Sequence, residues 1–250
     1  IEHLTILDNN SVTYTEETIG SVQRILDYGF WGAVERKRYG ETSLVIYDGG
    51  SESYILESEI NNLLNHDQNF KIRFLDVINV AKAKNKDYSS STPLTLYGRY
   101  SRKDICRLLD WHKDESSTIY GYRLKHNTLP IFTTYHKTEA LNSKVHYEDK
   151  ILSPDIIKWY SKSGQTRNSG PMLEIFQSQK NKTAVIHFFI KKDDSEGTEF
   201  YYLGPADIIE DTIMDEQATE IDGGKTHSIV SMHLHLHHSI ELSLYHYLIA

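Results

Sequence analysis

Apolar positions recur at two spacings along this chain, and the change from one to the other divides it. In the first ninety residues the spacing is helical. Ile19, Val22, Ile25 and Leu26 share one face of a helix that opens at the capping-box spacing Thr13-Tyr-Thr-Glu16 and runs to about Tyr28. Residues 57–64 and 71–84 predict two further helices. The second carries a broad apolar stripe, Ile72, Leu75 and Ile78 with Phe74, Val77 and Ala81, which suits a core or an interface. Residues 44–47 and 54–56 flank Asp48-Gly49-Gly50 and predict a hairpin. Residues 1–12 show no period.

The polar run Lys84-Asn-Lys-Asp-Tyr-Ser-Ser-Ser-Thr-Pro93 reads as a linker, so two domains are expected, 1–92 and 93–250. After it, Ser101 with Asp104 starts a helix, with Ile105, Leu108 and Leu109 inward and Arg102, Lys103 and Arg107 outward. Cys106 reads as a small core residue. From Thr118 the period becomes two. Tyr120, Tyr122 and Leu124 alternate with Ile119, Gly121 and Arg123, and strands are expected at 130–136, 183–191, 200–204 and 225–236. Ser153-Pro-Asp155 predicts the start of a short helix through Trp159, and 240–248 another at the end. The pattern implies an α+β fold: a small helical connector domain, then a curved, mostly antiparallel, barrel-like β module with short flanking helices.

Composition narrows the possible functions. Hydrophobic residues make up 39% of the chain, enough for a core, but no apolar run approaches bilayer length, and no signal-peptide pattern is present. The chain opens on Ile1 without an initiator Met, which implies a piece of a longer polypeptide. One cysteine excludes an intramolecular disulfide and fits a reducing cytoplasm. A net charge of −8 argues against a non-specific nucleic-acid coat, but a specific reader needs only a local basic patch. Seventeen tyrosines against eight phenylalanines favour surfaces that are apolar and still hydrogen-bond.

Two sets of candidate residues coincide in the β module. Tyr120, Tyr122, Tyr135, Tyr147, Trp159 and Tyr160, with Asp149 and Ser161, have the chemistry of a base pocket. Aromatic rings stack on an unstacked base, and a carboxylate accepts from a cytosine amino group. The bland alternative is that sheets favour tyrosine in any case. Arg123, Lys125, Lys137, Lys158, Lys162 and Arg167, with Ser163, Gln165 and Thr166, are candidates for DNA-backbone or flanking-base contacts. The alternative for these is a solvated loop.

Other clusters are weaker. His233, His235 and His237 alternate on one strand face beside His238, which is poor geometry for a tetrahedral metal site, so no metal is expected. Asp193, Asp194, Glu196 and Glu199 resemble a turn more than a cation site. No phosphate-binding loop, dinucleotide fingerprint or nucleophile elbow occurs.

Leu96 to Trp111, Ser117 to Arg123, Pro130 to Lys137, Tyr147-Glu-Asp149 and Phe189 to Gly204 resemble a bacterial C-terminal domain-of-unknown-function family. That domain follows a phospholipase-D-like nuclease and a superfamily II helicase, as in SauUSI-like type IV restriction enzymes. The resemblance covers residues 13–250, and residues 97–122 are its most specific part. Leu129 and Thr133 stand where the family pattern has Cys and Val, a difference of packing. The resemblance implies an SRA/PUA-like target-recognition module without enzymatic activity of its own. It implies a partner in double-stranded DNA carrying 5-methylcytosine or 5-hydroxymethylcytosine, read by base flipping. It further implies upstream helicase and nuclease domains that use ATP and Mg2+, no cofactor in this part, and a homodimer in the full protein. Two other readings are a coupling or dimerisation module using 71–84, and a metal nuclease using Asp193, Asp194 and Glu199.

Overall fold

The computed structural model describes residues 15–40, 42–51, 53–89, 92–136, 149–219 and 224–250. They fall in two compact units. One lies within Ile1–Thr95 together with Cys106–Glu115, and the other comprises Leu96–Ile105 with Ser116–Ala250. The division at 95/96 lies close to the linker, but the first unit also takes back ten residues that follow it, an exchange that linker composition does not signal.

The first unit contains α1 (Glu16–Leu26), α2 (Ala33–Tyr39), β1 (Val45–Asp48), β2 (Ser53–Leu56), α3 (Ser58–His66) and α4 (Gln68–Asn85). Thr15 caps α1, its Oγ1 accepting from the Thr18 N–H at 3.2 Å. Thr13, the expected start, lies outside the described residues. Strands β1 and β2 pair antiparallel as predicted. Phe30, Cys106, Leu109 and Trp111 are buried. The stripe on α4 is not core. None of its residues is buried, and Ile72 and Val77 are 55% and 68% exposed.

The second unit is built on one sheet. Its strands are β3 (Arg99–Ser101), β4 (Thr128–His136), β5 (Lys150–Ser153), β6 (Ile156–Tyr160), β7 (Val185–Asp193), β8 (Glu199–Thr219) and β9 (Thr226–Leu236). The order is β4-β7-β8-β9-β6-β5, with β3 added to β8, and only β4 and β7 run parallel. Helix α5 (Arg102–Leu108) follows β3 and passes into the first unit at Cys106, and helices α6 (Gly170–Lys180) and α7 (Leu242–Ile249) flank the sheet. The expected α+β architecture, with a curved and mostly antiparallel sheet and short helices, is the one that forms.

Irregularities bend the sheet. Phe188 and Phe189 oppose Gly204 and Tyr202, which leaves Leu203 as the extra residue of a bulge. Gly204 there has φ +99°, open to glycine at no steric cost. In β8 the register shifts again between Ile209 and Met214. Thr212 Oγ1 fills the gap, donating to the Ile209 carbonyl at 2.6 Å and accepting from the His233 N–H at 2.8 Å. The curled sheet encloses Leu129, Ile131, Ile157, Trp159, Phe188, Val230 and Met232, and Met172 and Ile175 of α6 and Leu248 of α7 pack against them. Each such side chain contributes about 1.5–3 kcal/mol on burial. A second aromatic layer joins Phe132 stacked on Phe189, with centroids 4.7 Å apart, and Phe200 edge-on to Phe132.

Three local expectations fail, and one helix forms where none was expected. Residues 153–159 form no helix. Ser153 Oγ donates to Asp155 Oδ1 at 2.6 Å across a Pro154-Asp155 turn, and Ile156–Tyr160 pair with β9. The β-branched and aromatic residues of this segment bury Ile157 and Trp159 at period two, and that burial overrides the helix-start signal. Residues 118–124 form no strand. A 3-10 turn at Ser116–Thr118 precedes two isolated bridges, Tyr122 to Ile131 and Lys125 to Thr128. The second spans His126 and Asn127, both at positive φ, the geometry of a tight hairpin turn. On α5 the Ser101–Asp104 box forms, but Leu108 is 37% exposed and Arg102, expected outward, lies over the Phe132 and Phe200 rings. Helix α6 was not anticipated, although Ser169-Gly-Pro171 followed by Met172, Ile175 and Phe176 carries its start and its apolar spacing.

Candidate nucleic-acid interface

The edges of the curled sheet meet along a seam between β4 and the β5–β6 hairpin. Tyr122 bridges to Ile131 of β4, and its ring packs edge-to-face on Trp159 of β6, with centroids 4.9 Å apart. Thr133 Oγ1 on β4 donates to Asp149 Oδ2 at 3.0 Å, just before β5. A cavity of about 240 Å3 opens there. Tyr120, Gly121 and Tyr122 form one wall, Phe132, Thr133 and Thr134 another, and Asp149 with residues 159–162 the third.

Six of the eight predicted pocket residues line this cavity: Tyr120, Tyr122, Asp149, Trp159, Tyr160 and Ser161. Their roles differ. Tyr120 is 75% exposed at the rim, whereas Trp159 is 3% exposed and belongs to the core. Trp159 therefore forms the floor of the cavity and is no free stacking platform. Ser161 is buried, and its hydroxyl donates to the Lys162 carbonyl and accepts from the Val230 N–H at 2.9 Å. It joins the end of β6 to β9. Asp149 is fixed by Thr133 and by the Tyr160 N–H, which donates to Oδ1 at 3.0 Å. Tyr135 packs against the core and does not line the cavity. Tyr147 lies outside the described residues.

The basic set does not gather into one patch. Lys162 lines the cavity. Its ammonium donates to the Tyr122 carbonyl at 3.0 Å and sits 4.5 Å from the centroid of the Tyr122 ring. Burial, and then the nearby Arg123 charge, hold its pKa below the ordinary lysine value. Lys158 pairs with Glu216 at 3.1 Å and lies over the Tyr160 ring. Tyr160 and then Glu216 raise its pKa. Burial opposes the charge on Glu216, but hydrogen bonds from Ser231 and Lys158 outweigh it and lower that pKa. Arg167 donates through its backbone N–H and Nε to Asp215 at 2.8 and 2.9 Å. Gln165 accepts from the Tyr122 hydroxyl. The Thr166 carbonyl accepts from Ser169, and Ser163 is exposed in the same loop. Lys125 sits at the hairpin turn, outside the cavity. Lys137 lies outside the described residues. Lys158 and Arg167 thus neutralise acids of β8, partners that their own segment does not reveal.

The remaining clusters serve the fold. Asp194 pairs with the buried Lys191 at 2.9 Å, Asp193 caps Ser195, Glu196 accepts from Tyr247, and Glu199 faces Arg99. His235 and His237 face Asp155 and Asp207 separately. Burial pushes the Cys106 thiol up to about 12, which removes it as a nucleophile at neutral pH. A larger groove of about 970 Å3 lies between α6 and β8. Its charged residues are of mixed sign, Arg167, Lys180 and Lys182 against Asp207, Glu210 and Asp211, and it takes in Arg167 of the predicted DNA contacts but none of the predicted base-pocket residues. Sequence reasoning missed the β4 wall, Phe132, Thr133 and Thr134, because nothing in that strand's alternation shows which edge it will approach.

Comparison with known proteins returns families and folds. Three solved structures with similar parts are the MspJI restriction endonuclease in complex with a 27-mer oligonucleotide, the DNA modification-dependent restriction endonuclease AspBHI, and Arabidopsis thaliana SUVH6 in complex with SAM. They are 8%, 11% and 13% identical, with TM-scores of 0.35, 0.37 and 0.38. The matches cover 46%, 58% and 91% of this chain, but only 31%, 43% and 40% of those structures, less than half of each. No curated protein matches. Among the described residues no helix is long and apolar enough to cross a membrane. Residues 2–90 match the model of a domain of unknown function, DUF8090. Residues 94–248, more than half of the chain and the whole of the sheet with its cavity, match the domain of unknown function DUF3427, and the chain belongs to that family.

Proposed function

We propose that the second unit reads a modified cytosine in double-stranded DNA, taking the flipped base into the seam cavity. One observation carries this reading: an exposed aromatic rim, Tyr120, and a carboxylate, Asp149, oriented by hydrogen bonds from Thr133 and the Tyr160 N–H, border the same small cavity. At about 240 Å3 it is smaller than the roughly 300–1,000 Å3 of pockets that take drug-sized ligands, which suits one planar ring. Tyr120 stacks on the base, and Asp149 accepts from the cytosine amino group. The family resemblance supports the same reading. It extends it to a parent polypeptide in which helicase and nuclease domains, with ATP and Mg2+, cut DNA carrying 5-methylcytosine or 5-hydroxymethylcytosine in the cytoplasm. Fluorescence anisotropy with matched methylated and unmethylated duplexes tests it. Tighter binding of the methylated duplex is expected, and equal affinities would sink the reading.

A second reading has one observation in its favour. Helix α4 exposes Ile72, Leu75, Val77 and Val80, apolar side chains that fit a coupling or dimerisation surface. Sedimentation velocity across a concentration series tests it. A shift to dimer that Val77→Glu abolishes is expected, and a concentration-independent monomer argues against self-association.

A further inference from the structure

Lys162 looked from sequence like a DNA-backbone or flanking-base contact. Its position is different. The side chain turns back onto Tyr122, where the ammonium donates to the carbonyl at 3.0 Å and lies over the ring, and it lines the seam cavity. An ammonium has three donors, and this geometry uses one of them on the protein. Asp149, an acceptor, borders the same cavity, and both residues are anchored at the end of β6, Asp149 through the Tyr160 N–H. Acceptor and donor in one small cavity define a polarity for whatever binds between them.

We infer that Lys162 is a specificity-determining residue that donates to the O2 of the base, so that Asp149 and Lys162 together select cytosine by the polarity of its Watson–Crick edge. This rests on the reading of the cavity as a base pocket. Cytosine presents an amino donor at one end of that edge and the O2 acceptor at the other. Thymine presents a carbonyl oxygen to Asp149, so acceptor meets acceptor. Adenine presents an amino group to Asp149 but has only a C–H where cytosine has O2, and Lys162 is left unanswered. Asp149 therefore rejects thymine and Lys162 rejects adenine. A partly desolvated ammonium, its charge already disfavoured by burial, is also one whose contact with a ligand is poorly screened by water.

The test uses the full 250-residue chain. Anisotropy is measured on duplexes that differ at one base, carrying 5-methylcytosine, thymine or N6-methyladenine, across a salt series. Lys162→Met is expected to weaken binding to the 5-methylcytosine duplex about tenfold or more. It should keep the preference over thymine and lose the preference over N6-methyladenine. Lys162→Gln, which keeps a donor without the charge, should retain part of the preference over N6-methyladenine. If instead both variants weaken all duplexes equally and the salt dependence drops by about one counterion, Lys162 is a phosphate contact and the inference is overturned. Unchanged binding in both variants overturns it too. Wild-type protein that does not prefer the methylated duplex would defeat the pocket reading itself, an outcome distinct from either. Circular dichroism melts confirm that the variants fold.

Discussion

Thr133 and Asp149 join the two edges of the curled sheet: the threonine hydroxyl on β4 donates to the carboxylate that precedes β5, at 3.0 Å. Thr133 is buried, so the hydroxyl has no ready exchange with water. Thr133→Val keeps the shape and removes the donor. It is expected to cost about 1–2 kcal/mol in urea unfolding, and to weaken methylated-DNA binding a few-fold because the carboxylate loses the anchor on β4. Unchanged affinity with reduced stability would assign the contact to folding alone.

Asp149→Asn tests the reading of the base edge. The amide oxygen can still accept from Thr133 or from the Tyr160 N–H, so the seam should persist and the melting temperature should shift little. The preference for the 5-methylcytosine duplex over the thymine duplex is expected to fall roughly tenfold, as for a hydrogen bond to a charged group. A variant that keeps full preference would remove Asp149 from recognition.

Tyr120 and Trp159 should separate binding from stability. Tyr120→Ala alters an exposed rim residue and is expected to change stability by no more than about 0.5 kcal/mol, while lowering affinity by the ~1–3 kcal/mol typical of one stacked base. Trp159→Ala empties part of the core and is expected to cost about 3–5 kcal/mol. Any loss of DNA binding in that variant reports unfolding first, and denaturant melts beside anisotropy distinguish the two.

A partly buried histidine predicts acid sensitivity. His187 Nδ1 lies 2.9 Å from the Tyr202 hydroxyl, and burial pushes the imidazole down to about 4. The unfolded chain, with an ordinary histidine near 6.5, takes up the proton first as pH falls. Stability from the neutral ring is therefore complete above about pH 6.5 and is lost as pH falls towards 4, by on the order of 3 kcal/mol. Thermal melts between pH 7 and 4 should show this loss in the wild type and a shallower one in His187→Gln. Parallel curves would place the acid sensitivity elsewhere.

Much of the fold was legible in the residues. The Ser101–Asp104 box, the hairpin around Asp48-Gly49-Gly50 and the apolar strand through Phe188 and Phe189 are local signals, and each produced its element. Local signals also misled. Ser153-Pro-Asp155 carries a sound helix start, but the next five residues gain more by adding a strand to β9 and burying Ile157 and Trp159. Propensity yields when a pleated, half-buried surface is available.

The sequence by itself determined the chemistry of the candidate site: tyrosines, a tryptophan, a carboxylate and lysines within two short segments, in a chain too acidic for indiscriminate DNA binding. Only the tertiary structure decided what each residue does. Closure of β4 against the β5–β6 hairpin brought Thr133 to Asp149 and buried Trp159. It left Tyr120 at the rim, and it turned Lys162 inward while Lys158 and Arg167 found acids on β8. The physical reason is distance along the chain. Periodicity reports which face of its own strand a residue occupies, whereas a cavity forms where strands far apart in sequence meet, and no local pattern encodes that meeting.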